Sequence, residues 1–443
     1  MLDVDYIISG DYVLTMVDGM PPLRGAAIAV RNGKIVDIGD SKTIAYTYNP
    51  RKNIGGSGKA VLPGLVNTHT HAAMVYFRGI ADDLPLREWL EVHIWPAEGK
   101  WLSDEFVGDA TELACCEMLK AGITTYNDMY FFGDSTASVT KKMGMRAVLG
   151  AGVLDFPTAA ASNAAEYIEH AERFIKDWLG DDLITPSIAP HAPYTCSPET
   201  YKKAKQVAQR YGVPLHTHLS ETQFEVDEAK KKYGKSPVEL LDEIGFLDET
   251  VIAAHCVWVS GKEIEILAKR NTGVAHCIES NLKLASGIAP VVSMLKQGVA
   301  VALGTDGAAS NNDLDVFSEM AIAARIHKAV SGDPTALNAI TALTMATSTG
   351  AKVLGMGDKT GTLEAGKSAD IIIVDLNKPH LTPFYDIYSL IVYSMKSLDV
   401  ESVMVNGKLL VDSGKCLFMD EQAIMDKAVW WKNKVDGKRG QAT

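Results

Sequence analysis

The feature that most constrains this chain is the stretch Pro63-Gly-Leu-Val-Asn-Thr-His69-Thr-His71, an apolar strand ending in His-x-His. Alternate residues of a β-strand share one face, so His69 and His71 aim their imidazoles the same way and can grip one metal ion. Alone, the pair also fits two solvated or core histidines. Three further strand-like segments end in groups able to complete a metal site: Pro214-Leu-His-Thr-His218-Leu-Ser-Glu221, Val251-Ile-Ala-Ala-His255 and Val299-Ala-Val-Ala-Leu-Gly-Thr-Asp306. Hydrophobic strands that each stop at a His, Glu or Asp describe convergence in space, because a catalytic metal draws its ligands from distant points of the sequence.

At 443 residues the chain exceeds the roughly 250–300 at which one core stops growing, so a large domain plus a smaller one is expected. Short alternating segments between Tyr6 and about residue 40, such as Ala26-Ala-Ile-Ala-Val-Arg, read as antiparallel hairpins. The same texture returns in Ala369-Asp-Ile-Ile-Ile-Val-Asp and in Ser402-Val-Met-Val-Asn-Gly-Lys-Leu-Leu-Val, where Asn406-Gly407 is the strongest turn signal. Between them, apolar strands at about 64–70, 123–128, 146–153, 184–190, 214–219, 251–256, 272–277 and 301–305 alternate with helical patterns. That alternation predicts a (β/α)8 barrel with its active site at the carboxyl ends of the strands, where every candidate ligand lies. Strand-rich terminal segments (1–61 and 358–443, the latter ending in a helix near 420–435) are thus expected to flank the barrel (62–357).

A net charge of −12 argues against a nucleic-acid backbone or an anionic membrane as partner. The first residues lack the basic start and apolar core of a signal peptide, and no apolar run spans a membrane, so a cytoplasmic location is expected. Cys115, Cys116, Cys196, Cys256, Cys277 and Cys416 show no Cys-x-x-Cys spacing, which predicts reduced thiols rather than disulfides or a zinc ribbon.

Taken in order, PGLVNTHTH (63–71), HIWPAEGKW (93–101), APHAPYTCS (189–197), HTHLSE (216–221), AAHCVW (253–258), SNLKLASGIAP (280–290) and LGTDGAASNN (303–312) resemble the amidohydrolase superfamily, and within it the 5'-methylthioadenosine/S-adenosylhomocysteine deaminases. The resemblance covers the barrel nearly end to end, and it also implies the two-part terminal β-sandwich. It implies one divalent metal held by His69, His71, His218 and Asp306. His216, one layer deeper than His218, is expected to be a core histidine. Binuclear members bridge two metals with a carboxylated lysine at the end of the fourth strand; here that strand ends in His191, so one metal is expected. Zinc follows from the resemblance, since carboxylate and imidazole ligands suit iron, manganese or nickel equally well.

The resemblance further implies that Glu221 shuttles a proton from water to a ring nitrogen of the substrate, with Glu225 a bystander. His255 would orient the attacking water, and Asp306 would pass a proton to the departing ammonia. Glu98 would bind ribose hydroxyls, Trp89 would line the pocket and His191 would touch the nucleoside; Trp95 is expected to serve loop packing. The expected substrate is a small nucleoside, and association into a homo-oligomer is implied. The chain departs from the family where members that accept S-adenosylhomocysteine hold its carboxylate with arginines. Arg146 starts its strand at the end far from the site, and 156–163 carry no cation, so an uncharged 5' substituent such as methylthio fits better than an amino-acid tail, with S-adenosylhomocysteine and adenosine as weaker substrates. The alternatives are hydrolysis of another heterocycle such as an s-triazine or pterin, which lacks the ribose that Glu98 serves, and a non-catalytic relative, which would not keep the full ligand set. The base-editing zinc deaminases are excluded because their His-x-Glu and Pro-Cys-x-x-Cys signature is missing.

Overall fold

The computed structural model describes residues 1–437. Its chain divides into two compact units, one of residues 1–67, 117–125 and 315–419, the other of residues 68–116, 126–314 and the described residues from 420 onward. Four strands open the chain, β1 (Leu2–Val13), β2 (Leu23–Arg31), β3 (Lys34–Asp40) and β4 (Tyr48–Pro63). Eight follow: β5 (Leu65–Thr70), β6 (Ile123–Tyr130), β7 (Arg146–Val153), β8 (Ile184–Pro190), β9 (Leu215–Leu219), β10 (Val251–His255), β11 (Gly273–His276) and β12 (Val301–Leu303). The last four are β13 (Ile371–Asp375), β14 (Val400–Val405), β15 (Lys408–Asp412) and β16 (Lys415–Cys416).

Strands from both termini form one sheet in the order β16-β15-β14-β13-β4-β1-β2-β3. The hairpin pairing of β1, β2 and β3 is antiparallel as expected, but β1 and β4 lie parallel, with Leu2 opposite Tyr48 and Val13 opposite Val61. One apolar cluster, including Ile8, Ile28, Ile35, Val61, Ile371, Ile373 and Met404, draws on strands from both ends of the chain, so neither terminal segment completes this core alone.

The second sheet runs in sequence order from β5 to β12, with parallel pairing from β7 to β12. Strands β5, β6, β9, β10, β11 and β12 are buried at every position, as expected of parallel strands covered on both faces. The two ends of the sheet meet: the Thr68 hydroxyl donates to the Leu303 carbonyl at 2.8 Å, and the Asp306 N–H donates to the His69 carbonyl at 2.9 Å. Gly304 permits that approach, since a Cβ there would lie 2.8 Å from the His69 backbone nitrogen. This is the closed (β/α)8 barrel.

By sheet membership, the strands of the terminal layer end at Pro63 and resume at Ile371, and the barrel strands lie wholly between. The helix Glu421–Val435 begins where expected, capped by Asp420, and joins the compact unit that holds most of the barrel strands. There Lys427 pairs with Asp109 at 2.8 Å and the Trp431 indole donates to Asp109 at 2.9 Å. None of the six cysteines forms a disulfide, and five of them are buried. No described helix is long and apolar enough to cross a membrane.

Candidate metal and active site

His69 and His71 stand at the end of β5, His218 near the end of β9, His255 at the end of β10 and Asp306 just beyond β12. The ligand atoms of His69, His71 and Asp306 lie within 4.8 Å of one another, as do those of His69, His218 and His255. Asp306 Oδ1 is 3.4 Å from His69 Nε2 and 3.3 Å from His71 Nε2. The backbone turns sharply where these side chains enter: Ser220, His255, Cys256 and Asp306 all have positive φ, at 52°, 71°, 49° and 62°. Left-handed conformations at non-glycine residues carry strain and gather where a functional side chain must be aimed.

Hydrogen bonds set the tautomers. His71 Nδ1 donates to the Met129 carbonyl at 2.6 Å, and His218 Nδ1 donates to the His191 carbonyl at 2.9 Å. Each ring in its neutral form therefore presents a lone pair on Nε2, and those two nitrogens face each other at 3.2 Å. Such an arrangement is repulsive unless a cation lies beside it, so the donor set fits a divalent metal. Burial alone would lower both rings of the His-x-His pair; it prevails at His69, lowered to about 4, while Asp306 and the Met129 carbonyl override it at His71, raised to about 9. The Asp306 carboxyl is held well below its ordinary value because, although burial opposes it, His69 and His71 face it. Its Oδ2 accepts from Ser280 at 2.6 Å and Ser310 at 2.9 Å, and its Oδ1 from the Gly307 N–H at 2.7 Å.

Glu221 is buried beside this cluster, with Oε2 3.7 Å from His255 Nε2. Burial pushes its carboxyl above the ordinary value, and His255 pulls the other way. The bystander Glu225 is also buried, and its carboxylate accepts the N–H groups of Ser220 at 3.1 Å and Glu221 at 2.8 Å, fixing the backbone that carries Glu221.

The site opens into a cavity lined by His71, Trp89, Glu98, His191, His218, Glu221, His255 and Asp306, so every site residue singled out in the sequence except His69 lines one space. Trp89 is buried, and Trp95, expected to serve loop packing, also forms part of the wall, 5.9 Å from the Phe156 ring. Glu98 accepts from the Tyr130 hydroxyl at 2.6 Å; burial outweighs that bond and raises its carboxyl to about 7. His191 bonds Thr195 at 2.9 Å, and burial lowers its ring to about 3. Among the described lining residues there is no lysine or arginine. Arg146 reaches the Asp182 carbonyl at the start of β7, Lys141 pairs with Asp181, and Lys142 pairs with Glu112.

Several supporting residues escaped the sequence reading. His216 is buried as expected, yet its Nε2 lies 2.9 Å from His69 Nδ1. With His69 Nδ1 as donor, the other ring nitrogen, Nε2, faces Asp306 Oδ1 at 3.4 Å. Asn281 accepts from His255 Nδ1 at 2.9 Å, and Asp128 accepts the Ala72 N–H at 2.7 Å, bracing the turn after His71. The signal for His216 was its position two residues before His218 on the same strand face; nothing in sequence separates Asn281 or Asp128 from ordinary polar residues.

The chain matches the amidohydrolase family over residues 60–410. It is 52% identical, over 97% of its length and 98% of the relative's, to a 5-methylthioadenosine/S-adenosylhomocysteine deaminase of Thermodesulfovibrio yellowstonii. It is 48% identical to a 5'-deoxyadenosine deaminase of Methanosarcina acetivorans, covering 96% of each chain. The zinc-bound crystal structure of an adenosine deaminase from Xanthomonas campestris superposes with a TM-score of 0.97 at 40% identity, covering 98% of this chain and 99% of that one. Atrazine chlorohydrolase from Arthrobacter aurescens, complexed with zinc, superposes with a TM-score of 0.89 at 26% identity, covering 96% of this chain and 100% of that one.

Proposed function

The chain belongs to the amidohydrolase family, and from that membership we propose that it hydrolyses the amino group from adenine nucleosides, with 5'-methylthioadenosine converted to 5'-methylthioinosine and ammonia. The observation that carries this reading is the convergence of a three-imidazole, one-carboxylate donor set with Glu221 and His255 in a cavity that also holds Glu98. His69, His71, His218 and Asp306 would hold one divalent metal, and zinc is supported by the zinc-bound relatives. When bound, the metal supplies Lewis acidity that brings the pKa of water toward neutrality.

The side chains divide the remaining work. Glu221 takes a proton from the attacking water and delivers it to the adjacent ring nitrogen, which makes the ring carbon electrophilic. His255, whose Nδ1 is committed to Asn281, offers Nε2 as acceptor and orients the water. Oxygen adds to the carbon bearing the amino group, Asp306 passes the second proton to the amino nitrogen, and ammonia leaves. Glu98 accepts the ribose hydroxyls, Trp89 packs against the nucleoside and His191 contacts it. An s-triazine would leave Glu98 without that partner, and the nucleoside deaminases are the nearer relatives by identity. Six cysteines outside disulfides fit a reducing, cytoplasmic location; association into a homo-oligomer rests on family resemblance.

The proposal is tested by ammonia release from adenosine analogues varied at the 5' position. With no cation in the cavity wall, a carboxylate tail would be buried unpaired, so kcat/KM should favour 5'-methylthioadenosine over S-adenosylhomocysteine by about 10- to 100-fold. The relative named for 5'-deoxyadenosine, another uncharged 5' group, supports the same preference. Equal or better efficiency on S-adenosylhomocysteine would overturn it.

Glu98 provides a pH signature. Its carboxyl, raised to about 7, accepts ribose hydroxyls best when ionised, so 1/KM should rise as pH increases through about 7 and then level off. Glu98→Gln should weaken ribose-bearing substrates and erase that limb; a KM profile shared by wild type and variant would remove Glu98 from ribose binding.

A further inference from the structure

The loop after the helix Ile278–Lys283, which follows β11, carries a side chain whose position the reaction has not yet used. Ser286 is buried, and its hydroxyl lies 3.3 Å from Glu221 Oε1. The turn is fixed on both sides: the Ser286 N–H donates to the Asn281 carbonyl at 2.9 Å, and the Ser286 carbonyl accepts the Trp258 indole N–H at 2.6 Å. Trp258 is itself anchored by its backbone N–H to the Ser220 carbonyl at 2.8 Å, one residue before Glu221. Gly287 has φ +126°, and a Cβ there would meet Val257 at 2.9 Å, so the chain cannot relax past this point with another residue. The other Glu221 oxygen, Oε2, faces His255.

We propose that Ser286 is a positioning residue for Glu221: its hydroxyl occupies Oε1, so the proton that Glu221 accepts from water and returns to the ring nitrogen travels on Oε2. This rests on Glu221 being the proton shuttle. A carboxyl group that can be protonated on either oxygen must rotate or exchange partners before half of its protons are usable; an O–H donor on one oxygen makes the other the basic one. Because Asn281 holds both His255 and the Ser286 backbone, one turn sets the water-orienting ring and the shuttle together.

The test is a cycle of Ser286→Ala, Glu221→Gln and the double variant, with Ser286→Thr as the conservative replacement, read by steady-state ammonia release from 5'-methylthioadenosine. Ser286→Ala should lower kcat about tenfold with KM within about twofold of wild type and metal content unchanged, and Ser286→Thr should restore most of the loss. In the Glu221→Gln background, Ser286→Ala should add no further loss, because the hydroxyl acts through the carboxylate. Wild-type kcat in Ser286→Ala, or an equal loss in both backgrounds, would overturn the proposal while leaving the Glu221 assignment in place. Near-normal turnover in Glu221→Gln would instead remove Glu221, and Ser286 with it. If Ser286→Ala melts early, Trp258→Phe removes only the indole donor and should lower kcat in the same direction; an unchanged kcat there would count against the proposal.

Discussion

Asp306→Asn and His69→Ala are each expected to lose deamination to background level together with tightly bound metal, while far-ultraviolet circular dichroism and cooperative melting persist. Asn is the better probe at 306, because Ser280, Ser310 and the Gly307 N–H all aim at the carboxylate and alanine would strand three buried donors. The backbone N–H that joins Asp306 to His69 survives either replacement, so barrel closure is retained. Chelation of the wild type should reproduce the loss, and readdition of zinc should reverse it. Metal analysis should give about one equivalent per chain; two tightly held equivalents, with full rate only when both are present, would defeat the single-metal assignment.

Glu221→Gln should reduce kcat by roughly 10²–10⁴-fold with metal content unchanged. Glutamine keeps the shape and an acceptor for Ser286 but cannot carry the proton from water to the ring nitrogen. The control is Glu225→Gln. That carboxyl is buried as deeply, yet its oxygens face the backbone N–H groups of Ser220 and Glu221, so its replacement should act on stability and loop order more than on chemistry. A larger kcat loss at Glu225 than at Glu221 would exchange their roles.

The barrel strands were legible because each is a short apolar run bounded by turn residues; β7 and β8 occupy the expected 146–153 and 184–190, and β10 falls within one residue of its expected end. The residues that converge at the site were legible for the same reason, since a polar group ending a buried strand has few other uses. The parallel pairing of β1 with β4 was not: Tyr48–Pro63 is rich in Gly and polar residues, and its partner is fixed by a core built from both termini. The contact of His216 with His69 and the supporting roles of Asn281 and Asp128 were missed because hydrogen-bonding partners separated by 26 to 147 residues leave no local spacing to read. Trp95 was taken for packing because an aromatic residue in a loop looks the same from sequence whether it faces a core or a cavity.

The seam of the barrel bears on how the protein is made. Thr68 and Leu303, which join the first and last strands, are 235 residues apart, and the proposed ligands His69 and Asp306 flank that same seam. A ribosome that has released only the first seven barrel strands, β5 to β11, has produced His69, His71 and His218 but not Asp306, and the barrel is still open to water. Metal capture with all four proposed ligands therefore cannot begin before residue 306 has emerged. A nascent chain stalled before that point would expose imidazoles and two unpaired strand edges at once, the state in which such a polypeptide is most open to mismetallation and aggregation.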